Sequence, residues 1–169
     1  MRVLEGELTV GDLDDAFDVV GAVADDEGVT VQAVDARYVV SREHLERAVE
    51  LADRAIERGE TVARERAVEV LCYLAGRRQI ARALEIGVDE GTTPAVVLVD
   101  APDGDEAAED AAAERLRSAL RLEPRATLGE YDPDRVRSFF DVPAAERAAA
   151  AADLPALVRE RVALLDVEK

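Results

Sequence analysis

Residues 64–88 read RERAVEVLCYLAGRRQIARALEIGV and predict two successive helices. The apolar positions of the first helix recur at i, i+3, i+4 and i+7, so one of its faces is committed to the core. They are Val68, Leu71, Cys72 and Ala75. Gly76 interrupts the pattern, and Gly87 suits the left-handed residue that ends a helix. Another helical pattern precedes this stretch without an intervening strand, which disfavours a doubly wound sheet.

The flanking sequence adds strands to these helices. The predicted strands are Arg2 to Val10, Val29 to Val34, Pro94 to Val99 and Ala126 to Tyr131. The third of them, PAVVLV, is almost wholly apolar and predicts a central strand covered on both faces, whereas the first predicts an edge or outer strand. The 169 residues therefore predict one α/β domain, 1–169. Its expected form is a sandwich with a small mixed, largely antiparallel sheet of about four strands, flanked by helices.

Capping residues set the expected helix limits. Asp12, Ser41 and Asp132-Pro133 begin helices, Gly28 and Gly59 end two of them, and Pro143 and Pro155 each fit a first helical position. The alanine run Ala148 to Ala152 is interpreted as helix. The predicted inward stripes are Leu13, Phe17, Val20 and Val23; Leu45, Ala48, Val49, Ala52 and Ile56; Ala108, Ala112, Leu116 and Leu120; and Leu154, Leu157, Val158, Val162 and Leu165.

The charge composition is lopsided. Acidic residues number 38 against 21 basic ones, giving a net charge of −17, and only Lys169 of the basic residues is a lysine. In molar salt the Debye length falls to about 3 Å, so an acidic surface that would repel itself in dilute buffer is tolerated and keeps a chain soluble. This composition predicts a halophilic, archaeon-like proteome.

The location expected for this chain is the cytoplasm. Cys72 is the only cysteine, so no disulfide can form within the chain. No apolar run reaches the roughly 18 residues of a membrane span, and the N-terminal sequence lacks a signal peptide's pattern. No membrane partner is therefore expected.

Several familiar catalytic and cofactor sites are missing from the sequence. It contains no phosphate loop of the G-x-x-x-x-G-K-[ST] type, no G-x-G-x-x-G after a strand and no G-x-S-x-G elbow. No cofactor and no metal site are predicted. His44 is the only histidine, three residues after Ser41, which favours a surface residue of the first helical turn over a catalytic base. Cys72 lies on an apolar helical face and is interpreted as a small hydrophobe.

Arg77, Arg78 and Gln79 are the best candidates for ligand binding. They follow Gly76 within a stretch whose five arginines and three glutamates sum to +2, against −17 for the whole chain. Arginine forks pair with phosphate and stack on bases, and a helix start offers backbone donors, so a short single-stranded nucleic-acid end would suit them. Two interpretations stay open on spacing alone, because both arginines could instead pair with neighbouring acids.

Two segments resemble a known family. They are VQAVDARYVVSREHLERAVELA, residues 31–52, and EVLCYLAGRRQIARALEIGV, residues 69–88. Their order, their spacing and the E-x-L-x-Y-L-A-G-x-R-Q-I core resemble the small kinase-binding subunit of the archaeal and eukaryotic KEOPS complex. The resemblance implies an α/β protein without its own chemistry, in the complex that makes threonylcarbamoyladenosine at position 37 of tRNAs.

The same resemblance implies partners and site residues. The expected partners are the small atypical kinase or ATPase subunit, which this chain would bind and regulate, the CCA 3′ end of tRNA, and the other KEOPS subunits indirectly. The family motif maps onto Arg78, Gln79 and Ile80, with Gly76 permitting close approach, and charge and placement extend the predicted RNA-binding set as a further inference. That extension comprises Arg64, Arg77 and His44. A scaffold that binds the kinase without RNA, and a small enzyme using His44, are the alternatives.

Overall fold

The computed structural model describes residues 1–145 and 153–167. The elements run in the order β1 (Arg2–Val10), α1 (Leu13–Glu27), β2 (Thr30–Asp35), α2 (Arg42–Arg58), α3 (Arg66–Ala75), α4 (Ile80–Ala83), β3 (Gly91–Asp100), α5 (Glu106–Ala119), β4 (Glu123–Pro124), α6 (Pro133–Phe139) and α7 (Leu154–Val167). Short 3-10 helices lie at Ala36–Tyr38 and Leu84–Ile86. The alanine run Ala148 to Ala152, predicted as helix, lies outside the described residues, as does most of the helix predicted from Pro143.

The chain divides into two compact units. Unit 1 comprises residues 1–36 and 87–127 and contains all four strands together with α1 and α5. Unit 2 comprises residues 37–86 and the described part of 128–169, and it is helical. The α/β class predicted from the sequence is confirmed, and the prediction of one domain over 1–169 stays a prediction.

The sheet of unit 1 is antiparallel in every pairing, in the order β2-β3-β1-β4. The apolar strand β3 is internal and buried along most of its length, as predicted. The prediction that β1 is an outer strand is wrong, because β1 pairs with β3 over its whole length and with β4 on its other side. The strand predicted at Ala126 to Tyr131 is also wrong, since these residues form no strand and β4 ends before them, at Pro124.

One face of the sheet packs against α1 and α5. Register places Leu4 beside Val97 and Val31 beside Val99, so alternate residues of three strands point to the same side. The helical residues buried in this cluster are Val23, Ala112, Ala113, Leu116 and Leu120. Phe17 was predicted to face inward but is 56% exposed, because the buried side of α1 is turned toward Ala16, Val19 and Val20 instead.

Gly6 allows β4 to approach β1. A Cβ at this position would lie 2.4 Å from the carbonyl oxygen of Glu123 and 2.8 Å from Cγ of Leu122. The segment is held further along by the backbone N–H of Thr127, which donates to the Glu5 carboxylate at 2.7 Å, and by the Thr127 hydroxyl, which donates to the carbonyl of Ala95 at 3.0 Å. A backbone contact this close tolerates no side chain.

Unit 2 is built around α3. Every residue from Glu69 to Ala75 is buried, so the helix is enclosed on all sides and not only on the predicted face. It packs against α2, α4 and α7. The inward stripe of α7 is confirmed in full, whereas Ile56 of α2 is 40% exposed and Ala55 is buried in its place.

Most of the glycines predicted to end helices do so in the left-handed conformation. Gly28, Gly59 and Gly76 have φ of 67°, 69° and 59° and end α1, α2 and α3, as predicted. Gly87 behaves differently, because it forms an isolated antiparallel bridge with Val34 and is not among the glycines of positive φ in the described chain. The prediction of a left-handed cap there is wrong. Asp12, Ser41 and Asp132 cap α1, α2 and α6 through their side chains, as predicted.

Gly6→Ala should destabilise the protein by about 3 kcal/mol, the upper end of the usual cost of overpacking, because the new methyl group meets backbone atoms that cannot move aside. Gly11→Ala is the matched control, since none of the described atoms lies within 4 Å of its would-be Cβ. Urea unfolding followed by circular dichroism measures both. Equal midpoints for the two variants would contradict the close approach of β4.

Candidate nucleic-acid interface

The predicted RNA-binding motif begins where the buried helix α3 ends. The backbone N–H of Gly76 donates to the carbonyl of Tyr73, and that of Arg77 donates to the carbonyl of Cys72, both at 2.9 Å. These are the two hydrogen bonds of a Schellman motif, which requires a left-handed residue at the position of Gly76. A Cβ on Gly76 would also lie 3.7 Å from backbone atoms of Arg161. The glycine therefore ends α3 and turns the chain toward the surface.

His44 forms a hydrogen bond with another carbonyl group at the end of α3, that of Leu74. Its Nε2 lies 2.8 Å from the carbonyl oxygen of Leu74, and because a carbonyl only accepts, Nε2 carries the proton and donates. The imidazole is 0% exposed and its edge contacts the ring of Phe140, with centroids 5.7 Å apart. Nδ1 has no hydrogen-bond partner within the described residues. Burial lowers the pKa of His44 to about 4, so it is neutral at physiological pH.

The burial of His44 argues against three sequence interpretations. It is not a surface residue of the capping turn, and a fully buried imidazole offers RNA no surface to contact. An enzyme that uses His44 as a base also lacks access to it. Cys72 is buried as well, and burial raises the pKa of its thiol to about 11, which keeps the sulfur protonated and poorly nucleophilic.

Arg77 is anchored to the end of α6. Its guanidinium donates to the carbonyl of Phe139 and to the carboxylate of Asp141, the second at 2.7 Å, and it lies over the Phe139 ring at 5.4 Å. Arg161 donates to the next two carbonyls, those of Phe140 and Asp141, each at 3.3 Å. Two guanidinium groups thus cover the negative end of α6. For Arg77, pairing with a neighbouring acid is what the structure shows.

Arg78, Gln79 and Ile80 are exposed, and Ile80 presents 40% of its surface. Gln79 is the N-cap of α4 through its backbone, and its side chain makes no capping hydrogen bond within the described residues. Because α4 has only four residues, its dipole is weak, and binding at this loop depends on side chains more than on the helix start. Leu84, at 56% exposure, adds an apolar side chain one turn beyond Ile80 that sequence reasoning missed.

Arg64 lies at the other end of α3. The helix has ten residues and is therefore about 15 Å long, which separates Arg64 from Gly76 by at least that distance along the axis. The exposed Arg64 belongs to a loop whose backbone is held by buried Glu69, which accepts from the N–H groups of Val62 and Ala63 at 2.9 and 2.7 Å. The structure thus brings together Gly76 to Ile80 and leaves Arg64 apart from them.

A small cavity in unit 2 was not predicted. Its volume is about 250 Å³, and it is lined by Tyr38, Arg82, Glu85, Arg135, Ser138 and Phe139. Arg135 lies over the ring of Tyr38 at 5.4 Å, and the Tyr38 and Phe139 rings meet edge to face with centroids 5.3 Å apart. These residues come from three separated segments, and only the rarity of aromatic residues in this chain, six in all, could have drawn attention to Tyr38 and Phe139.

Neither a cluster of metal-ligating side chains nor a membrane-spanning helix is found in the part of the chain that is described. No cluster of three or more His, Cys, Asp or Glu side chains in residues 1–145 and 153–167 could hold a metal ion. Over the same residues, every helix is too short or too polar to cross a bilayer.

The fold and the site define an α/β protein that presents an exposed basic and apolar loop at the end of a buried helix, with its only histidine and cysteine enclosed. The chain belongs to the CGI-121 family of kinase binding proteins, whose sequence profile matches residues 16–166. This match confirms the resemblance drawn from residues 31–52 and 69–88. Nothing among the curated proteins compared with the chain matches it.

His44→Gln should reduce the loss of folding stability that occurs as the pH falls from 6.5 to 4. The pKa of His44 is about 4 in the folded chain against 6.5 for the free side chain, so between these values the unfolded chain binds a proton that the folded chain excludes. The stability from this group is complete above pH 6.5 and falls as the pH drops to 4, by on the order of 3 kcal/mol in total. Glutamine keeps an N–H donor and does not titrate in this range. Denaturant unfolding at half-unit pH steps measures the effect, and parallel profiles for both proteins would contradict it.

Proposed function

We propose that this chain is a subunit of the KEOPS complex without chemistry of its own, which binds and regulates the kinase or ATPase subunit and recruits tRNA for threonylcarbamoyladenosine synthesis at position 37. Membership of a kinase-binding family, over residues 16–166, supports the first half. The recruiting half is supported by one observation. Arg78, Gln79 and Ile80 lie exposed together on a loop whose first two residues, Gly76 and Arg77, are hydrogen-bonded to the end of α3. The ligand proposed for this loop is the single-stranded CCA 3′ end.

The chemistry of the loop suits a nucleic-acid end. An exposed guanidinium can pair with phosphate or stack on a base, the amide of Gln79 can both donate and accept, and Ile80 offers an apolar surface against which a base can lie. A groove that follows many phosphates would be poorly matched to a chain of charge −17. Recognition of one short end by close contacts is the better match.

Recruitment of tRNA is tested by Arg78→Glu combined with Gln79→Ala. We expect at least a tenfold loss of affinity for tRNA, since a charge-paired contact and a hydrogen-bonding group are removed together. Arg117→Glu, at an exposed position of α5, makes the same change in net charge outside the predicted RNA-binding residues and should bind normally. Binding is measured at molar KCl, with tRNA that either carries or lacks its CCA end.

The same experiment distinguishes the scaffold alternative. Equal binding of wild-type protein to tRNA with and without CCA, or equal binding by the double variant, would remove the RNA half of the proposal. Kinase binding without any tRNA binding by the wild-type protein would instead identify the chain as a scaffold that binds the kinase alone.

Kinase binding is tested by affinity purification from native high-salt lysate. A small atypical kinase or ATPase should accompany the wild-type chain, because the chain belongs to a family of kinase binding proteins. The purified chain alone should show no ATP hydrolysis, since its sequence contains no phosphate loop of the G-x-x-x-x-G-K-[ST] type. Recovery without such a partner would contradict the kinase half.

A further inference from the structure

A groove in unit 1 lies beside the part of β1 that β4 leaves uncovered. Because β4 pairs only with Gly6 and Glu7, the last three residues of β1 have β3 on one side and no described strand on the other. The groove has a volume of about 450 Å³, and residues 8–12 line it along this free edge. Its other walls come from the start of α1 and from the end of α5.

The free edge presents backbone polar groups to the groove. The carbonyl of Glu5 accepts from the N–H of Arg125 at 3.3 Å, so the backbone of Glu5 faces the β4 side of β1. Backbone groups alternate in direction along an antiparallel strand, so those of Glu7 and Thr9 face the same side. Glu7 pairs with β4, whereas no backbone hydrogen bond joins Thr9 to the described residues on that side. An unpaired edge of this kind can accept one more strand.

The groove has an apolar floor. Leu8 and Val10 are 2% and 5% exposed and belong to the core cluster that the sheet forms with α1 and α5. Leu120, Ala16 and Val19 add apolar atoms to the lining. A residue of an added strand that lies opposite Val10 would place its side chain on the same face of the sheet, against this floor.

Charges of opposite sign lie at the two ends of the groove. Asp15 lines the α1 end, beyond the last residue of β1, and its carboxylate has no partner among the described residues. Arg121 lines the other end, two residues before β4, and its guanidinium likewise has no partner in the described chain. A ligand with a positive charge at one end and a negative charge at the other would match this arrangement.

Arg121 also holds an unusual backbone conformation. Its φ is 51°, and it directly follows the C-cap of α5, at a position where glycine is the usual residue. Its N–H donates to the carbonyl of Ser118 at 3.2 Å, and the N–H of Leu122 donates to the carbonyl of Arg117 at 3.1 Å. Glycine would therefore satisfy the backbone at this position better than arginine does.

We propose that this groove binds the carboxyl-terminal residues of a partner protein as an added antiparallel strand, with the terminal carboxylate paired with Arg121 and a basic residue beside Asp15. The charges set the direction, because a parallel strand would bring its carboxylate to Asp12 and Asp15 instead. The free edge of three residues is about 10 Å long, which suits a short extended tail. This contact lies in unit 1 and goes beyond the function proposed for the loop of unit 2.

The first test uses a peptide probe. A fluorescein-labelled pentapeptide, GGRVT with a free carboxylate, is titrated with the wild-type protein at molar KCl and followed by fluorescence polarisation. We expect a Kd below about 1 mM. The amidated peptide and GGEVT should each bind about fivefold more weakly, the upper range for an exposed ion pair.

Three results of this titration would overturn the proposal. They are no binding of GGRVT up to a concentration of about 1 mM, equal binding of the amidated peptide, and equal binding of GGEVT. Free valine should not compete. Competition by valine as strong as that of the unlabelled pentapeptide would assign the groove to a free amino acid, and it would also overturn the proposal.

Arg121→Gly tests the carboxylate contact without threatening the fold, since glycine suits the left-handed backbone. This variant should bind GGRVT about fivefold more weakly than wild-type protein does, and it should no longer distinguish the free carboxylate from the amide. Arg117→Ala is the matched control, because Arg117 belongs to α5 but does not line the groove, and it should behave as wild type. A preference for the carboxylate that persists in Arg121→Gly would contradict the assignment.

The strand-like pairing is tested at Thr9. Thr9→Pro removes the N–H that faces the groove and should abolish binding, whereas Thr9→Val keeps this N–H and should bind normally. A measurement on the wild-type chain needs no variant and remains decisive if the proline variant does not fold. Hydrogen exchange at the Thr9 amide, followed by NMR, should slow at saturating GGRVT. Unchanged exchange at saturation would place the peptide elsewhere and overturn the proposal.

Discussion

The structure of unit 2 depends on the need to satisfy the carbonyl groups at the buried C-terminal end of α3. The segment Glu69 to Ala75 of α3 is buried on every side, so its terminal carbonyl groups cannot be solvated. An unpaired buried carbonyl costs roughly 1–3 kcal/mol, and several lie at this end. Gly76 and Arg77 cover two of them through their backbone N–H groups, and His44 covers a third from α2. The loop beyond the helix is fixed as a consequence.

Because of this constraint, the neighbouring residues Arg77 and Arg78 lie in different environments. Arg77 turns inward and covers the end of α6 together with Arg161, while Arg78 stays exposed. The sequence shows two adjacent arginines with no feature that separates them, and the position of the Phe139 to Asp141 segment decides that Arg77 is the one that pairs with it. The anchored arginine limits the motion of the exposed one, and a ligand at this loop therefore meets side chains that have already lost part of their freedom.

Local signals in the sequence predicted the fold well, whereas long-range partners did not emerge from it. The caps at Ser41 and Asp132 and the left-handed glycines act within a few residues of themselves, so each is readable from its own surroundings. The placement of β1 inside the sheet depends on β4, which lies more than a hundred residues away. His44 and its acceptor Leu74 are 30 residues apart, so nothing near His44 reveals that it is buried.

The candidate site residues show the same contrast between local signals, which the sequence reveals, and long-range contacts, which it does not. The loop Gly76 to Ile80 could be proposed from the sequence because it is contiguous, whereas the cavity could not, because its residues come from separate parts of the chain. Arg64 was included for its charge, yet charge is a poor guide to proximity when a ten-residue helix lies between it and the loop. Periodicity likewise understated α3, since a helix whose buried side includes Glu69 and Tyr73 does not look wholly internal.

The acidic composition constrains how any polyanion can be recognised here. At −17 the chain repels RNA at long range in dilute buffer, and in molar salt, where the Debye length is about 3 Å, neither repulsion nor attraction reaches far. Contacts at hydrogen-bond distance and stacked planar groups remain effective under both conditions. Arginine serves both kinds of contact, whereas lysine serves only the ionic one, and all but one of the basic residues in this chain are arginines. Any recognition of a polyanion would therefore depend on where individual guanidinium groups are held, and the buried end of α3 fixes the backbone of one of them, Arg77.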